Sequence, residues 1–119
     1  MIFVGTDIVT ISRIDKIIKE KGVRFLNHVF SNIEQDICNN KASPSIHYSG
    51  KFAAKEAVKK AILSSKSNLA ITLKSIEIQN DEDGMPLVQL QGNTVDYKYV
   101  KVSISHVDDY ATATAILEL

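Results

Sequence analysis

The amino-acid sequence predicts an α+β protein in which a mainly antiparallel sheet packs with one long helix and short N-terminal helices. Two observations carry this prediction. After one N-terminal strand, helical apolar spacing and capping signals dominate residues 11–65, whereas short β-rich segments joined by turns dominate residues 75–119. Helices followed by hairpin-connected strands are typical of this class. With 119 residues the chain forms one domain, which we place over residues 1–119.

The first strand and helix stand at the N-terminus. Residues 2–11 are apolar and β-branched, interrupted by a glycine and an aspartate, and predict a strand. Ser12 with Asp15 three residues later matches a capping box, and Gly22 is a stop signal for the helix that follows.

Two short helical segments come next. Residues 23–30 form a short apolar turn or helix. Ser31 and Glu34 form a second capping box, which opens a helix through Cys38.

The longest helix begins after Ser43, which can cap it, with Pro44 at the first helical position, where a missing N–H costs little. An apolar stripe continues along it until the segment ends near residues 64–65. The stripe consists of Tyr48, Phe52, Ala53, Ala57 and Ala61.

The remaining segments predict strands over residues 75–79, 87–90, 100–105 and 110–119. The first two are joined by a turn in which Gly84 is free to adopt positive φ. The last strand carries small residues on both faces, so both faces could be buried, one of them by another subunit.

The charge is balanced overall but not along the chain. The 14 basic and 14 acidic side chains give zero formal charge, while residues 1–60 carry ten basic and six acidic groups. This balance argues against a duplex nucleic-acid binder that relies on bulk positive charge, and against a disordered acidic tail. The basic half could meet an acidic partner or a phosphate, or the split could be chance.

The single cysteine, Cys38, cannot form an intrachain disulfide and is most simply a small buried apolar residue. No run of 18 apolar residues exists to span a membrane, and the N-terminus lacks the pattern of a signal peptide. We therefore expect a cytoplasmic protein without a membrane partner.

Two carboxylates are candidates for chemistry. Asp7 interrupts an apolar strand and needs hydrogen bonds or a cation. Glu56 lies in the long helix one turn before Lys60, so the two could form an ordinary surface ion pair. Alternatively, this helix edge, which mixes a carboxylate with several ammonium groups, could hold a metal ion together with a polyphosphate.

Other motifs add little by themselves. His106 ends a predicted strand, where it could contact a ligand or be an ordinary turn residue. No pattern of a zinc site, a Walker A loop or a dinucleotide-binding loop occurs.

Three blocks together resemble the holo-acyl-carrier-protein synthases, the small 4′-phosphopantetheinyl transferases. They are VGTDIVTISRI at residues 4–14, YSGKFAAKEAVKKA at residues 48–61 and VSISHVDDYATATAIL at residues 102–117. They keep the family's order and close to its spacing, so the resemblance covers essentially the whole domain. It implies a phosphopantetheinyl transferase-like fold and an enzyme of fatty acid biosynthesis, commonly a homotrimer with active sites between subunits.

The resemblance also implies roles for individual residues. Asp7 and Glu56 would bind Mg²⁺, with Glu56 helping to deprotonate the attacking hydroxyl, and Lys60 would hold the pyrophosphate of coenzyme A. Coenzyme A would also meet Lys51, Lys55 and His106, while Arg13 and Arg24 would face acyl carrier protein.

The chain departs from the family pattern at three places. Lys51 stands where the family often has arginine, residues 63–68 lack the glycine of a loop near the nucleotide, and the stretch between Leu90 and Val100 is short for the helix many members carry. Two other classes stay open: a nonenzymatic trimeric module that binds a carrier or nucleotide, and another Mg²⁺-dependent phosphoryl enzyme.

Overall fold

The computed structural model describes residues 1–92 and 95–119. Residues 93–94, inside the short stretch noted above, therefore lie outside the described part. The elements confirm the predicted α+β class and follow the order β1 (Ile2–Thr10), α1 (Ile11–Lys21), α2 (Val23–Val29), α3 (Asn32–Asn39), α4 (Pro44–Ser65), β2 (Ile76–Asn80), β3 (Pro86–Leu90), β4 (Tyr99–His106) and β5 (Tyr110–Glu118).

The described strands form two antiparallel sheets rather than one. A three-stranded sheet has the order β1-β5-β4, and β2 pairs with β3 in a separate hairpin. Across the larger sheet, Asp7 of β1 lies opposite Ala113 of β5, which in turn lies opposite Ile104 of β4. The predicted turn between β2 and β3 is confirmed, with Gly84 at φ 81°.

Helix α4 crosses the inner face of the larger sheet at Gly5. A Cβ atom built on Gly5 would lie 1.9 Å from the carbonyl oxygen of Ala57 and 2.8 Å from the amide nitrogen of Ala61. Only a residue without a side chain permits this approach, because real Cβ atoms do not come so close to backbone. The glycine therefore sets the separation between β1 and α4 and, with it, the relative positions of Asp7 and Lys60.

Small side chains on the helix make the same approach possible from the other side. Ala53, Ala57 and Ala61 are completely buried, as are Ala111 and Ala115 of β5. This layer is the main core.

A second cluster under the N-terminal helices contains Phe30 and Tyr48, whose ring centroids lie 4.9 Å apart, with the buried Cys38 beside them.

Burial raises the pKa of the Cys38 thiol to about 11. A buried thiol that stays protonated is a poor nucleophile, as the sequence predicted for this residue.

Strand β5 buries only one of its faces within the described chain. Ala111, Ala113 and Ala115 point inward, while Thr112 and Ile116 on the outer face are exposed. The outer face of neighbouring β1 is exposed too, with 57% of Ile2, 54% of Val4 and 65% of Ile8 accessible. The prediction that both faces of the last strand are buried thus holds for one face in the single chain.

One predicted capping box is confirmed and the other is wrong. The Ser31 hydroxyl accepts from the Glu34 amide at 3.2 Å, and Glu34 Oε1 accepts from the Ser31 amide at 2.8 Å. Helix α1 instead begins at Ile11, so Ser12 lies inside it. Asp15 pairs with Lys19 at 2.8 Å and accepts a hydrogen bond from the Ser45 hydroxyl, and these contacts hold the pKa of Asp15 below its ordinary value.

Helix α4 ends at a residue that would normally be glycine. Lys66 adopts the left-handed conformation with φ 58°, and its amide donates to Leu63 O at 3.1 Å. This conformation costs a residue with a Cβ on the order of 1 kcal/mol relative to glycine. Although residues 63–68 contain no glycine, the helix still ends with a left-handed residue, and Lys66 bears the conformational cost.

Within the described residues, no helix is both long and apolar enough to cross a membrane.

We predict that Gly5→Ala destabilises the fold by about 3 kcal/mol, because the new methyl group meets helix backbone that cannot rotate away. Urea denaturation measures the change. Gly84→Ala is the matched control: its Cβ meets nothing within 4 Å, so that substitution costs only the strain of positive φ. Equal losses for the two variants would contradict the close-crossing explanation.

Candidate active site

Asp7 and Lys60 form an ion pair between β1 and α4. The Lys60 ammonium lies 3.0 Å from Asp7 Oδ1 and donates a second hydrogen bond to Thr6 O at 3.0 Å. Asp7 sits on the inner face of the strand with 14% of its side chain exposed, whereas Lys60 is 52% exposed. The structure thus brings together two of the predicted site residues and gives Asp7 the cation that its apolar strand calls for.

Glu56 lies one helical turn before Lys60 on the same side of α4. Residues at this spacing have Cβ atoms about 6 Å apart. Over residues 1–92 and 95–119, the half-buried Glu56 has no ion-pair partner, and Lys60 turns to Asp7 instead. The alternative of a surface Glu56–Lys60 pair is therefore wrong, and the Glu56 carboxylate is available to a ligand.

The donor set of this cluster fits Mg²⁺. Two carboxylates from different elements supply oxygen ligands, and Mg²⁺ commonly takes one or two carboxylates and completes its shell with water and phosphate. Elsewhere too, the described residues contain no group of three or more His, Cys, Asp and Glu side chains that could enclose a metal. The cluster therefore suits an ion that shares its coordination with a substrate.

Lys51 and Lys55, which the resemblance predicts to contact coenzyme A, occupy buried positions in the single chain. The Lys51 ammonium donates to Ile78 O at 2.8 Å and to Asn80 Oδ1 at 3.3 Å. The side chain is 5% exposed. Burial lowers its pKa.

Lys55 is fully buried and uses all three of its donors inside the protein. Its ammonium lies 2.7 Å from Glu34 Oε1, 3.1 Å from Leu73 O and 2.6 Å from Ile76 O. Burial lowers the pKa of Lys55, and the Glu34 carboxylate opposes that shift by favouring the charged ammonium. Neither Lys51 nor Lys55 can offer its charge to a surface ligand without breaking these bonds.

Glu34 is the residue whose importance the sequence did not reveal beyond its capping role. It is completely buried, and its second oxygen, Oε2, accepts from the Ile78 amide at 2.8 Å. Together with Lys51 and Lys55, Glu34 forms hydrogen bonds to the backbone groups on the edge of β2 that does not pair with β3. Lys55 directly precedes Glu56, so this network fixes the turn of α4 that carries the free carboxylate.

His106 lies exposed at the end of β4, on the sheet edge opposite the one formed by β1. Two strand spacings separate β4 from β1, about 10 Å. The single chain therefore does not bring His106 into the Asp7–Lys60 cluster.

His106 instead stands near the first turn of α4. Burial lowers the pKa of His47 in that turn, and the positive charges of Lys41, His106 and Lys51 lower it further. No sequence pattern pointed to His47, because its histidine neighbour is 59 positions away in the chain.

Arg13 and Arg24 lie exposed on α1 and α2. Two lysines of α1 are compensated by acidic residues: Lys16 lies 3.9 Å from Glu20, and Lys19 pairs with Asp15. Neither arginine has an ion-pair partner within residues 1–92 and 95–119, so both charges are available to an acidic surface.

Two clefts in the described structure lie away from the candidate residues. One of about 630 Å³ lies between the β2–β3 hairpin and the start of α3, and one of about 610 Å³ lies between α2, Lys59 and residues 69–74. Asp7, Glu56, Lys60 and His106 line neither cleft. The carboxylate–lysine cluster therefore lies outside both clefts.

An antiparallel α+β fold with a two-carboxylate, one-lysine cluster defines a protein suited to a metal ion and a phosphate. Comparisons with known proteins identify the family within this class. Residues 3–115 match the family model described as the 4′-phosphopantetheinyl transferase superfamily.

Several curated relatives and solved structures agree. The holo-[acyl-carrier-protein] synthase of Protochlamydia amoebophila is 42% identical over 116 residues, covering 95% of this chain and 94% of the relative. That of Thermodesulfovibrio yellowstonii is 41% identical over 114 residues, covering 96% of each. The structure of the Helicobacter pylori synthase in complex with coenzyme A has a TM-score of 0.84 and 31% identity, covering 97% of this chain and 99% of that one. A Chronobacterium ammoniagenes ACPS–CoA complex has a TM-score of 0.85 and 28% identity, covering 99% and 97%.

The chain belongs to the 4′-phosphopantetheinyl transferase superfamily. This confirms the family, and with it the fold, that the three sequence blocks predicted.

We predict that Lys55→Met destabilises the protein by about 3–5 kcal/mol, because it leaves the Glu34 carboxylate buried without its cation. Urea denaturation of Lys55→Met, Glu34→Leu and the double variant gives the coupling energy, and the double variant should lose clearly less than the sum of the two. Lys59→Met, four positions along the same helix, removes an equal charge without a buried partner and should change stability by about 0.5 kcal/mol or less. A Lys55→Met loss as small as that of Lys59→Met would contradict the buried network.

Proposed function

We propose that this chain transfers 4′-phosphopantetheine from coenzyme A to a serine of apo-acyl carrier protein, giving holo-acyl carrier protein and 3′,5′-ADP for fatty acid biosynthesis. The observation that carries the proposal is the Asp7–Lys60 pair beside the free carboxylate of Glu56, in a chain of this superfamily. The full-length relatives named holo-[acyl-carrier-protein] synthase support the choice of substrates.

Asp7 and Glu56 are the residues that would hold Mg²⁺. When bound, the ion would offset the charge on the pyrophosphate as the phosphorus–oxygen bond to the leaving nucleotide breaks. The protein's own contribution is to fix two carboxylates through the close crossing of β1 and α4, so that their geometry needs little reorganisation during the reaction.

Lys60 and Glu56 carry the remaining chemistry. The Lys60 ammonium stands half-exposed beside Asp7, where it can bind phosphate oxygens. Glu56 accepts the proton of the serine hydroxyl, directly or through a water, as the hydroxyl oxygen attacks phosphorus. The serine and the pyrophosphate must be held together for this transfer, so positioning is the larger part of catalysis.

A homotrimer would explain two features of the single chain. Within the cluster Lys60 is half exposed to solvent, and His106 lies at the opposite edge of the sheet. A neighbouring copy that covers the cluster would complete a pocket for coenzyme A, with His106 as one of its contacts. The exposed apolar side chains of the outer sheet face, Ile2, Val4, Ile8 and Ile116, support this face as the subunit contact.

Acyl carrier protein would dock on the N-terminal helices. Arg13 and Arg24 present uncompensated positive charge there, and an acidic helix is the complementary surface.

We predict that incubation with apo-acyl carrier protein, coenzyme A and Mg²⁺ adds one phosphopantetheine to the carrier, which mass spectrometry of the carrier detects. Asp7→Asn and Glu56→Gln should lower the rate about 100-fold or more, because each removes a proposed ligand of the ion. Asp36→Asn, an exposed carboxylate of α3, is the matched control and should retain the wild-type rate.

The same assay separates the competing classes. Carrier binding without a mass change would indicate a nonenzymatic module. Nucleotide hydrolysis in the absence of carrier would indicate a different phosphoryl enzyme. Wild-type rates for Asp7→Asn and Glu56→Gln would refute the metal assignment.

We predict that Arg13→Glu raises the KM for acyl carrier protein about ten-fold, since it places like charges across the docking surface. The KM for coenzyme A should stay within two-fold of wild type. Lys16→Glu changes the net charge equally on the same helix at a position that Glu20 already compensates, and should have a smaller effect. An unchanged KM for the carrier in Arg13→Glu would remove this residue from the docking surface.

A further inference from the structure

The Lys60 ammonium is hydrogen-bonded to Asp7, one of the two carboxylates proposed to bind the metal ion. It lies 3.0 Å from Asp7 Oδ1, and its only other described hydrogen-bond acceptor is Thr6 O. The same ammonium is the group proposed to bind the pyrophosphate. The Lys60 ammonium therefore cannot stay fully bound to the Asp7 carboxylate while it binds the pyrophosphate.

We propose that Lys60 is an exchangeable cation, which a divalent ion displaces from Asp7 and which thereby becomes free to bind the phosphates of coenzyme A. The inference rests on the proposed function, because it takes Asp7 as a ligand of the ion. It adds an order of events: the ion binds first, and the phosphate-binding lysine is released by that step.

The contacts of Lys60 make this exchange feasible. The side chain is 52% exposed, and an ion pair so accessible to water contributes little to stability. A second cation on the same carboxylate also repels the ammonium, and the flexible four-carbon stem lets it move. Lys55 provides the contrast: it is completely buried, with three short internal contacts, and nothing could displace it without breaking the fold.

The exchange would couple the two ligands of the site. Before the ion binds, Lys60 compensates the charge of Asp7, so the carboxylate on the inner face is never left unpaired. Once the ion has taken over that role, the freed ammonium raises the affinity for coenzyme A. By linkage, coenzyme A raises the affinity for the ion by the same factor.

Isothermal titration with Mg²⁺ or Mn²⁺ alone, without coenzyme A or carrier, tests the competition. Lys60→Met should lower the Kd for the ion about five-fold, because the ion no longer displaces an ammonium. Lys59→Met is the matched control. It removes an equal charge from the adjacent helix position, which does not contact Asp7, and should change the Kd less than two-fold.

Amine labelling of the wild-type protein tests the release directly. An acylating reagent modifies deprotonated amines, so labelling of Lys60, measured by peptide mass spectrometry, should rise during the metal titration with the midpoint found by calorimetry. Labelling of Lys59 in the same sample serves as the internal reference and should stay constant.

Two results would overturn the exchange. One is a Lys60→Met variant that binds the ion no more tightly than wild type. The other is Lys60 labelling that stays constant or falls as the ion binds, which would mean that the ammonium keeps its place on Asp7. The transfer assay is independent of both: phosphopantetheine transfer together with either result would reject the exchange and leave the proposed function standing. Absence of transfer would count against the function itself.

Discussion

The close crossing of β1 and α4 at Gly5 is the constraint on which the rest of the structure depends. A Cβ there would lie 1.9 Å from helix backbone, so glycine on the strand and alanines on the helix are required together. This approach places the Asp7 carboxylate within reach of the Lys60 ammonium although 53 residues separate them in the chain. Packing of small residues thus determines the electrostatics of the site.

Three lysines of one helix show how burial decides what a charge can do. Lys51 and Lys55 face the β2–β3 hairpin, where their ammonium groups replace the missing neighbour of β2. Lys60, one turn beyond Glu56, faces solvent and the sheet edge and keeps a single carboxylate partner. Lys51 and Lys55 are buried, so each ammonium must keep its internal acceptors to avoid an unpaired buried charge. Lys60 is exposed, so its ammonium can exchange partners when a ligand binds.

The sequence predicted the fold class, the long helix with its proline start, and the Ser31 capping box, because these depend on local patterns. The three family blocks predicted the membership. The sequence could not separate buried from exposed lysines in KFAAKEAVKK, since a lysine that meets an internal carboxylate looks the same in the chain as one that meets a ligand. It also could not show that Asp15 accepts a hydrogen bond from Ser45, 30 positions away, or that His47 lies near His106. Each of these is a long-range contact that no local pattern records.

The edge of β2 that faces α4 has a further consequence. The Ile78 amide donates to Glu34, the Ile78 carbonyl accepts from Lys51, and the Ile76 carbonyl accepts from Lys55. An unpaired strand edge is a template for pairing with another chain, and proteins protect such edges with charged side chains. Here two lysines and a glutamate satisfy the backbone groups that a foreign strand would need. The network that anchors the hairpin therefore also acts as a barrier to edge-to-edge aggregation.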